Sequence, residues 1–133
     1  MKVINKQDLT QTVEISRIDK RLRKNYNIHE SLDETVHKLL NVLQPGTVLP
    51  IHRHLHPPKK ETIVLLQGSL IMELYDENKQ VVASYELSEE SGNFICEIYP
   101  EEWHTYFPLE KDTLVLGIKE GPYIPYKDID VLK

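Results

Sequence analysis

The residues from 46 to 68 read GTVLPIHRHLHPPKKETIVLLQG, and they hold three of the chain's six histidines within five positions. Successive side chains on a β-strand point to opposite faces, so His52 and His54 project from one face and two imidazoles can reach one ion. Glu61 begins the next predicted strand after the Pro57-Pro58 turn, and an antiparallel return would bring its carboxylate beside the two histidines. The segment therefore predicts a metal site.

A further histidine, His104, follows residues 100–103 much later in the chain. One carboxylate and three neutral imidazoles suit one divalent transition metal, such as Fe, Mn, Zn, Ni or Co, and leave room for water or substrate. The predicted metal ligands are His52, His54, Glu61 and His104. Pairs of the His-x-His type also occur by chance on surfaces, and we interpret His37 and His56 as exposed residues outside the site.

Turn signals recur about every ten residues along the rest of the chain, which is typical of an all-β sandwich or barrel. Strands are predicted at residues 21–29, 48–54, 61–67, 69–75, 81–87, 93–99, 105–108 and 113–119. The pattern also predicts a short helix around 7–15, a single turn at 31–34 followed by a strand, and a hairpin turn at 76–79. We therefore expect an N-terminal lead-in, helical or extended, over residues 1–20 and one β-domain over residues 21–133.

Length and composition favour one soluble domain with an ordinary core: the chain has 133 residues, of which 40% are hydrophobic and 28% are charged. Sixteen Lys and Arg against 21 Asp and Glu give a net charge of −5, so no basic stripe is available for nucleic acid. Cys96 is the only cysteine, which excludes an internal disulfide and favours a reducing compartment. No signal-peptide core or membrane-length apolar stretch is present, so we expect a cytoplasmic protein that does not bind membranes.

The segment 21–29 alternates between two faces, and one of them is almost wholly polar. That face carries Arg21, Arg23, Asn25, Asn27 and His29. A period of two predicts a strand, and the simplest interpretation is an edge strand whose polar face lies in water.

Residues 46–68 resemble the first cupin motif, G-x5-H-x-H-x(3,4)-E-x6-G, and residues 100–104 resemble the second, P-x-G-x2-H. The chain departs from both motifs. In the first, six residues separate His54 from Glu61; in the second, Glu102 replaces the glycine and His104 comes one residue early. A closer resemblance, to the WbuC-type cupin-fold metalloproteins, runs from about residue 21 to 126. It is carried by Arg21-x-Arg23-x3-Asn27-x-His29, residues 40–46 (LNVLQPG), His52-Arg53-His54, Trp103-His104 and Lys119-Glu120-Gly121-Pro122-Tyr123.

This resemblance implies a single-domain cupin, that is, a double-stranded β-helix or jelly-roll barrel with one metal in its mouth. Members of the family are often encoded among surface-polysaccharide genes, and their reaction is not settled. Cupins commonly pair their barrels, so a homodimer is expected by analogy of fold.

In a cupin barrel one face of every strand points inward, so the resemblance implies that the polar face of segment 21–29 lines the cavity. Arginine offers a fork for a carboxylate or phosphate, and Asn and His can bind hydroxyls. The residues expected to bind substrate are Arg21, Arg23, Asn25, Asn27, His29, Tyr106, Lys119 and Tyr123. The alternative is that the polar side chains of 21–29 bond one another as a structural network. His29 and Glu61 are the candidates for moving a proton, and we expect Trp103 to pack as a wedge beside the site.

The sequence thus predicts a metal-binding cupin that acts on or binds a small polar or anionic carbohydrate, a sugar or sugar nucleotide, in surface-polysaccharide metabolism. An enzyme of this kind would be an isomerase or epimerase, or a dioxygenase if the metal is iron. Two alternatives stay open: a sensor that binds such a ligand without turnover, and a metal that only stiffens the barrel.

Overall fold

The computed structural model describes residues 1–133, which form one α-helix, ten β-strands and one short 3₁₀ turn. The helix α1 spans Lys6–Ile18 and the 3₁₀ turn spans Asp128–Asp130. The strands are β1 (Arg23–Asn27), β2 (Val36–Leu43), β3 (Ile51–His52), β4 (Glu61–Gln67), β5 (Leu70–Tyr75), β6 (Val81–Leu87), β7 (Ile95–Ile98), β8 (Trp103–Pro108), β9 (Thr113–Glu120) and β10 (Val131–Leu132). The predicted all-β class is confirmed.

The strands form two five-stranded antiparallel sheets that pack face to face. The first has the order β1-β2-β9-β4-β7 and the second has the order β10-β3-β8-β5-β6. Inward side chains of both sheets form one core cluster, to which Leu43, Ile63 and Val115 come from the first sheet and Leu70 and Met72 from the second. Burying such side chains contributes roughly 2 kcal/mol each, so this cluster is the main source of stability for the barrel.

Helix α1 covers the outer face of the first sheet. Its N-terminus has a capping box in which the Asn5 side chain accepts a hydrogen bond from the Asp8 N–H and the Asp8 carboxylate accepts one from the Asn5 N–H. The helix packs Leu9 and Val13 against a second apolar cluster that includes Val42. None of the helices combines the length and the apolar character that a membrane crossing requires.

Four predicted strands are shorter in the structure than in the sequence analysis, because those expected over 69–75 and 93–99 are also trimmed, to β5 and β7. The other two have a clear backbone cause. The strand expected over 48–54 is reduced to β3, because Pro50 has no N–H to donate and stops the ladder just before Ile51. The strand expected over 21–29 starts only at Arg23, because Leu22 has a φ of 56°, which no extended strand allows.

Both predicted turns are confirmed. At 31–34 the Glu34 N–H donates to the Ser31 carbonyl at 3.2 Å, and β2 follows directly. At 76–79 the Asp76 N–H donates to the Gln80 carbonyl at 2.9 Å, which closes the hairpin between β5 and β6. The first turn joins β1 to β2 within the first sheet, and the second joins β5 to β6 within the second sheet.

Gly68 should tolerate substitution far less well than Gly92, although both have a positive φ, of +84° and +75°. A methyl group on Gly68 would lie 2.9 Å from the Thr113 main chain, whereas one on Gly92 meets nothing within 4 Å. Gly92→Ala should lower the free energy of unfolding by about 1 kcal/mol through the backbone conformation alone, and Gly68→Ala by about 2 kcal/mol more through the clash. Urea denaturation measures both, and equal losses in the two variants would contradict the predicted close packing at Gly68.

Candidate metal centre

Three histidine side chains converge in the interior at one end of the barrel. His52 on β3 is the direct cross-strand partner of His104 on β8, and His54 follows β3 by two residues. One ligand nitrogen from each of the three lies within 4.8 Å of the others. The three residues are 4%, 8% and 0% exposed for His52, His54 and His104. The structure thus brings together three of the four predicted metal ligands.

Hydrogen bonds from the main chain orient two of these rings. His52 Nδ1 lies 2.8 Å from the Pro50 carbonyl oxygen and His104 Nδ1 lies 3.0 Å from the Glu102 carbonyl oxygen. A ring that donates from Nδ1 leaves Nε2 with its lone pair free, which is the usual arrangement of a metal-binding imidazole. The Nε2 atoms of His54 and His104 are buried without a hydrogen-bond partner. Buried polar atoms are rarely left unpaired, so this donor set fits a metal ion.

Burial also favours the uncharged form of His52 and His104 by lowering the pKa of each. It lowers the pKa of His52 to about 3, and the neighbouring His104 lowers it further in the same direction. Burial lowers the pKa of His104 as well. Metal ligation requires neutral imidazole, so these rings are ready to bind a cation near neutral pH without first losing a proton.

Glu61 reaches the histidines from the opposite sheet. Its Oε2 lies 2.9 Å from His54 Nε2, without the alignment of a hydrogen bond. The expected antiparallel return is wrong, because β4 pairs with β9 and β7 and does not pair with β3. Burial alone would raise the pKa of this carboxyl, but His54 and the charge of Lys119 lower it to about 2. Glu61 is therefore a carboxylate beside the imidazoles.

A small cavity of about 40 Å³ with a mostly apolar wall lies inside the barrel next to Glu61. Asn41, Tyr106 and Lys119 form the rest of the polar part of this wall. Burial and the negative charge of Glu61 raise the pKa of Tyr106, so its hydroxyl keeps its proton. The cavity thus offers a hydrogen-bond donor, an amide and a cation close to the three imidazoles.

Residues 121–132, here called the C-terminal strap, cross the mouth of the barrel. The ring of Tyr126 lies 4.8 Å from that of His52 and 5.4 Å from that of His54. Asp130, which is 2% exposed, accepts hydrogen bonds at 2.9 Å from Arg53 Nε and from the His56 main-chain N–H. Sequence reasoning missed Tyr126 and Asp130, because their partners lie more than seventy residues away and no local pattern marks them.

Two further expectations near the mouth agree with the structure. Trp103 is 8% exposed, and the Arg53 guanidinium stacks over its ring at 4.2 Å, which makes it a packed wedge. His56 is exposed, although its ring approaches Asp130. Of the two strap-side residues expected to bind substrate, Lys119 lines the cavities and Tyr123 is half-exposed at the strap.

The structure does not gather the polar face of segment 21–29 around the imidazoles. Arg21 lies outside β1 and pairs with Asp19 at 3.3 Å, while Arg23 donates to the Val48 carbonyl at 3.0 Å. Asn25 and Asn27 are exposed and bond each other at 2.7 Å. Arg23, Asn25 and Asn27 lie opposite Leu43, Asn41 and Leu39, so they share the inward face of the first sheet, as the resemblance implies. Because β1 is the edge strand of this sheet, Asn25 and Asn27 are nevertheless exposed.

His29 packs away from the three imidazoles. Its ring stacks on that of His37 with centroids 4.1 Å apart, and its Nδ1 lies 3.0 Å from the Lys38 carbonyl oxygen. The expectation that His37 is exposed is wrong, since it is 4% exposed. His37 occupies the inward face of β2 opposite Lys119, a position that the sequence pattern alone did not reveal.

Comparison with known proteins gives the family and the fold. Residues 4–87 match the family model described as a domain of unknown function (DUF6016). The chain belongs to this family. No curated protein matches the sequence.

Solved structures similar in fold to this DUF6016 chain include a cupin domain. KdgF from Halomonas sp. has a TM-score of 0.59 at 17% identity, over 84% of this chain and 86% of that one. The capsular polysaccharide assembling protein CapF from Staphylococcus aureus has a TM-score of 0.64 at 18% identity, over 81% of this chain but only 28% of CapF. The Cnp3 cupin domain of Schizosaccharomyces pombe has a TM-score of 0.57 at 8% identity, over 76% of this chain and 66% of that one. The predicted single-domain cupin fold is confirmed.

Substitution of a ligand histidine should remove metal from this DUF6016 cupin. We expect His104→Ala to lower metal affinity at least about a hundredfold, because one of only three clustered imidazoles is lost. His56→Asn is the control, since His56 does not belong to the cluster. Elemental analysis after incubation with each candidate ion measures the metal content per chain. Equal metal content in the two variants would rule out a centre at His104.

The stability of the metal-free protein should fall as the pH is lowered from about 6.5 toward 3. The folded-state pKa of His52 is about 3 and the unfolded value is about 6.5. Between these two values the unfolded chain binds a proton on this ring, whereas the folded chain does not. One such group lowers the free energy of unfolding by about 1 kcal/mol for each pH unit in this window. Urea titrations between pH 7 and 5 should show this slope, and His52→Gln should reduce it. A stability that rises on acidification would contradict the buried neutral ring.

Proposed function

We propose that this protein is a metal-dependent cupin that holds one divalent transition metal on His52, His54, His104 and Glu61. In this proposal it acts on or binds a small anionic or polar carbohydrate, a sugar or sugar nucleotide, in surface-polysaccharide metabolism. The observation that carries the proposal is the convergence of three buried imidazoles, two of them with unpaired Nε2 atoms.

The residues around the centre supply complementary functions. A bound metal of this class polarises a carbonyl or hydroxyl oxygen as a Lewis acid. Glu61 is ionised, so it can ligate the cation or accept a proton from a ligand hydroxyl. Tyr106 keeps its proton and can donate a hydrogen bond into the inner cavity, where Asn41 can both donate and accept. This combination of groups suits a ligand rich in hydroxyl and carbonyl oxygens.

Two further observations support a carbohydrate ligand. The residue pattern from 21 to 126 resembles the WbuC-type cupins, whose genes often lie among those for surface polysaccharides. One protein of similar fold is described as a capsular polysaccharide assembling protein. We propose, on this basis, that the chain is a WbuC-type protein of the cytoplasm and that it forms a homodimer.

Metal-loaded protein should bind sugar acids or sugar nucleotides, and His52→Ala should weaken that binding. We expect a loss of at least about tenfold in affinity, because the oxygen held by the cation loses its main partner. Isothermal titration against a panel of uncharged sugars, sugar acids and sugar nucleotides measures binding, and mass spectrometry of the same mixtures detects product.

Product formed by wild type and lost in His52→Ala would establish an enzyme, whereas saturable binding without product would establish a sensor. If metal binds but no carbohydrate of the panel does so, the carbohydrate part of the proposal is refuted and the metal centre stands.

A further inference from the structure

A second cavity lies between the metal cluster and the C-terminal strap. Its volume is about 20 Å³, and its wall includes His54, Lys59, Lys119, Tyr123 and Tyr126. It is separate from the inner cavity that holds Tyr106 and Asn41, but Lys119 lines both. A molecule at the metal could therefore extend from the imidazoles into this space.

Lys59 is a buried cation without a carboxylate partner. It is 9% exposed, its Nζ donates to the Pro122 carbonyl oxygen, and no Asp or Glu oxygen lies within 4.0 Å of it. Burial lowers its pKa, and the positive charge of Lys119 lowers it further. An ammonium group has three donors, and a buried one is stable only with a suitable partner. Lys59 thus has free donors that face the cavity wall.

Lys119 also lacks an ion pair. It lies on β9 directly opposite Glu61 and His37, yet no carboxylate oxygen comes within the 4.0 Å of a salt bridge. Both lysines line this cavity, so the two ammonium groups act on the same space. Two like charges at one cavity repel each other, and an anion between them would turn this repulsion into attraction.

The other charged groups of the wall neutralise the two lysines only in part. Arg53 and Asp130 form a salt bridge at 2.9 Å and cancel each other. Glu120 is the remaining carboxylate, and its single charge, which acts on Lys59, offsets one of the two lysines. The wall keeps a net positive charge beside a predicted cation centre, where an anionic ligand group would be favoured.

We propose that Lys59 and Lys119 form a binding site for an oxyanion, a carboxylate or a phosphate, directly beside the metal-binding His54. The proposal rests on the proposed function only in that the anion belongs to the ligand held at the metal. The sequence analysis assigned anion binding to Arg21 and Arg23. In the structure Arg21 pairs with Asp19 and Arg23 donates to the Val48 carbonyl, so we assign this role to the two lysines instead.

The C-terminal strap must move outward before an oxyanion can enter the cavity. A cavity of about 20 Å³ holds little more than one water molecule. The Pro122 carbonyl now occupies a donor of Lys59, so an outward shift of the strap near Pro122 both frees that donor and enlarges the cavity. The oxyanion takes the place of the carbonyl oxygen as the acceptor for Lys59.

Titration with inorganic phosphate and with acetate at constant ionic strength tests this site. Wild type, Lys59→Gln and Lys119→Gln are compared with Lys60→Gln, which removes the same charge at an exposed neighbouring position. A charge-assisted hydrogen bond is worth about a tenfold change in affinity. We therefore expect tenfold weaker anion binding in both Lys59→Gln and Lys119→Gln and unchanged binding in Lys60→Gln. Preference for phosphate over acetate identifies a phosphoryl-bearing ligand, and the reverse preference identifies a carboxylate.

Failure to bind either anion in wild type, or equal losses in all three variants, overturns the proposal.

Circular dichroism confirms that each variant is folded. If the buried Lys59 is needed for folding, Lys119→Gln still tests the site. Metal content is measured on the same samples. Anion binding that depends on the two lysines, in a protein that takes up none of the candidate ions, keeps this site and refutes the metal centre. Metal binding without anion binding does the reverse.

Discussion

Three buried imidazoles lie where two β-sheets face each other, and the Nε2 atoms of His54 and His104 need a partner in a place that water does not reach. The surrounding structure follows from this requirement. Pairing of β3 with β8 sets His52 opposite His104, and main-chain carbonyls fix the other nitrogen of each ring. A protonated cluster would place like charges in contact, so burial of neutral rings and binding of a cation support each other.

Much of the barrel and most of the metal centre could be predicted from the sequence because both depend on short-range patterns. Strand periodicity and turn residues are local, and they located β4 and β6 to the residue. The spacing of His52 and His54 is also local, and the motif that contains His104 has its own proline and tryptophan. Such features do not depend on how distant parts of the chain come together.

The remaining features depend on contacts between distant residues. The sequence correctly placed Glu61 near the histidines, but it predicted that β4 pairs with β3. No local pattern indicates that these two strands belong to different sheets. The polar face of β1 was expected to line the cavity, yet its position at a sheet edge leaves Asn25 and Asn27 in water. The strap was missed for the same reason, since Asp130 meets Arg53 only after the barrel has closed.

The strap also completes a sheet. Its last strand, β10, has two residues and pairs with β3, which carries His52. Without β10, the main-chain groups of β3 would form the open edge of the second sheet, and such edges can recruit strands from other molecules. The segment that crosses the histidine cluster therefore also occupies the hydrogen-bonding edge of the strand that carries His52.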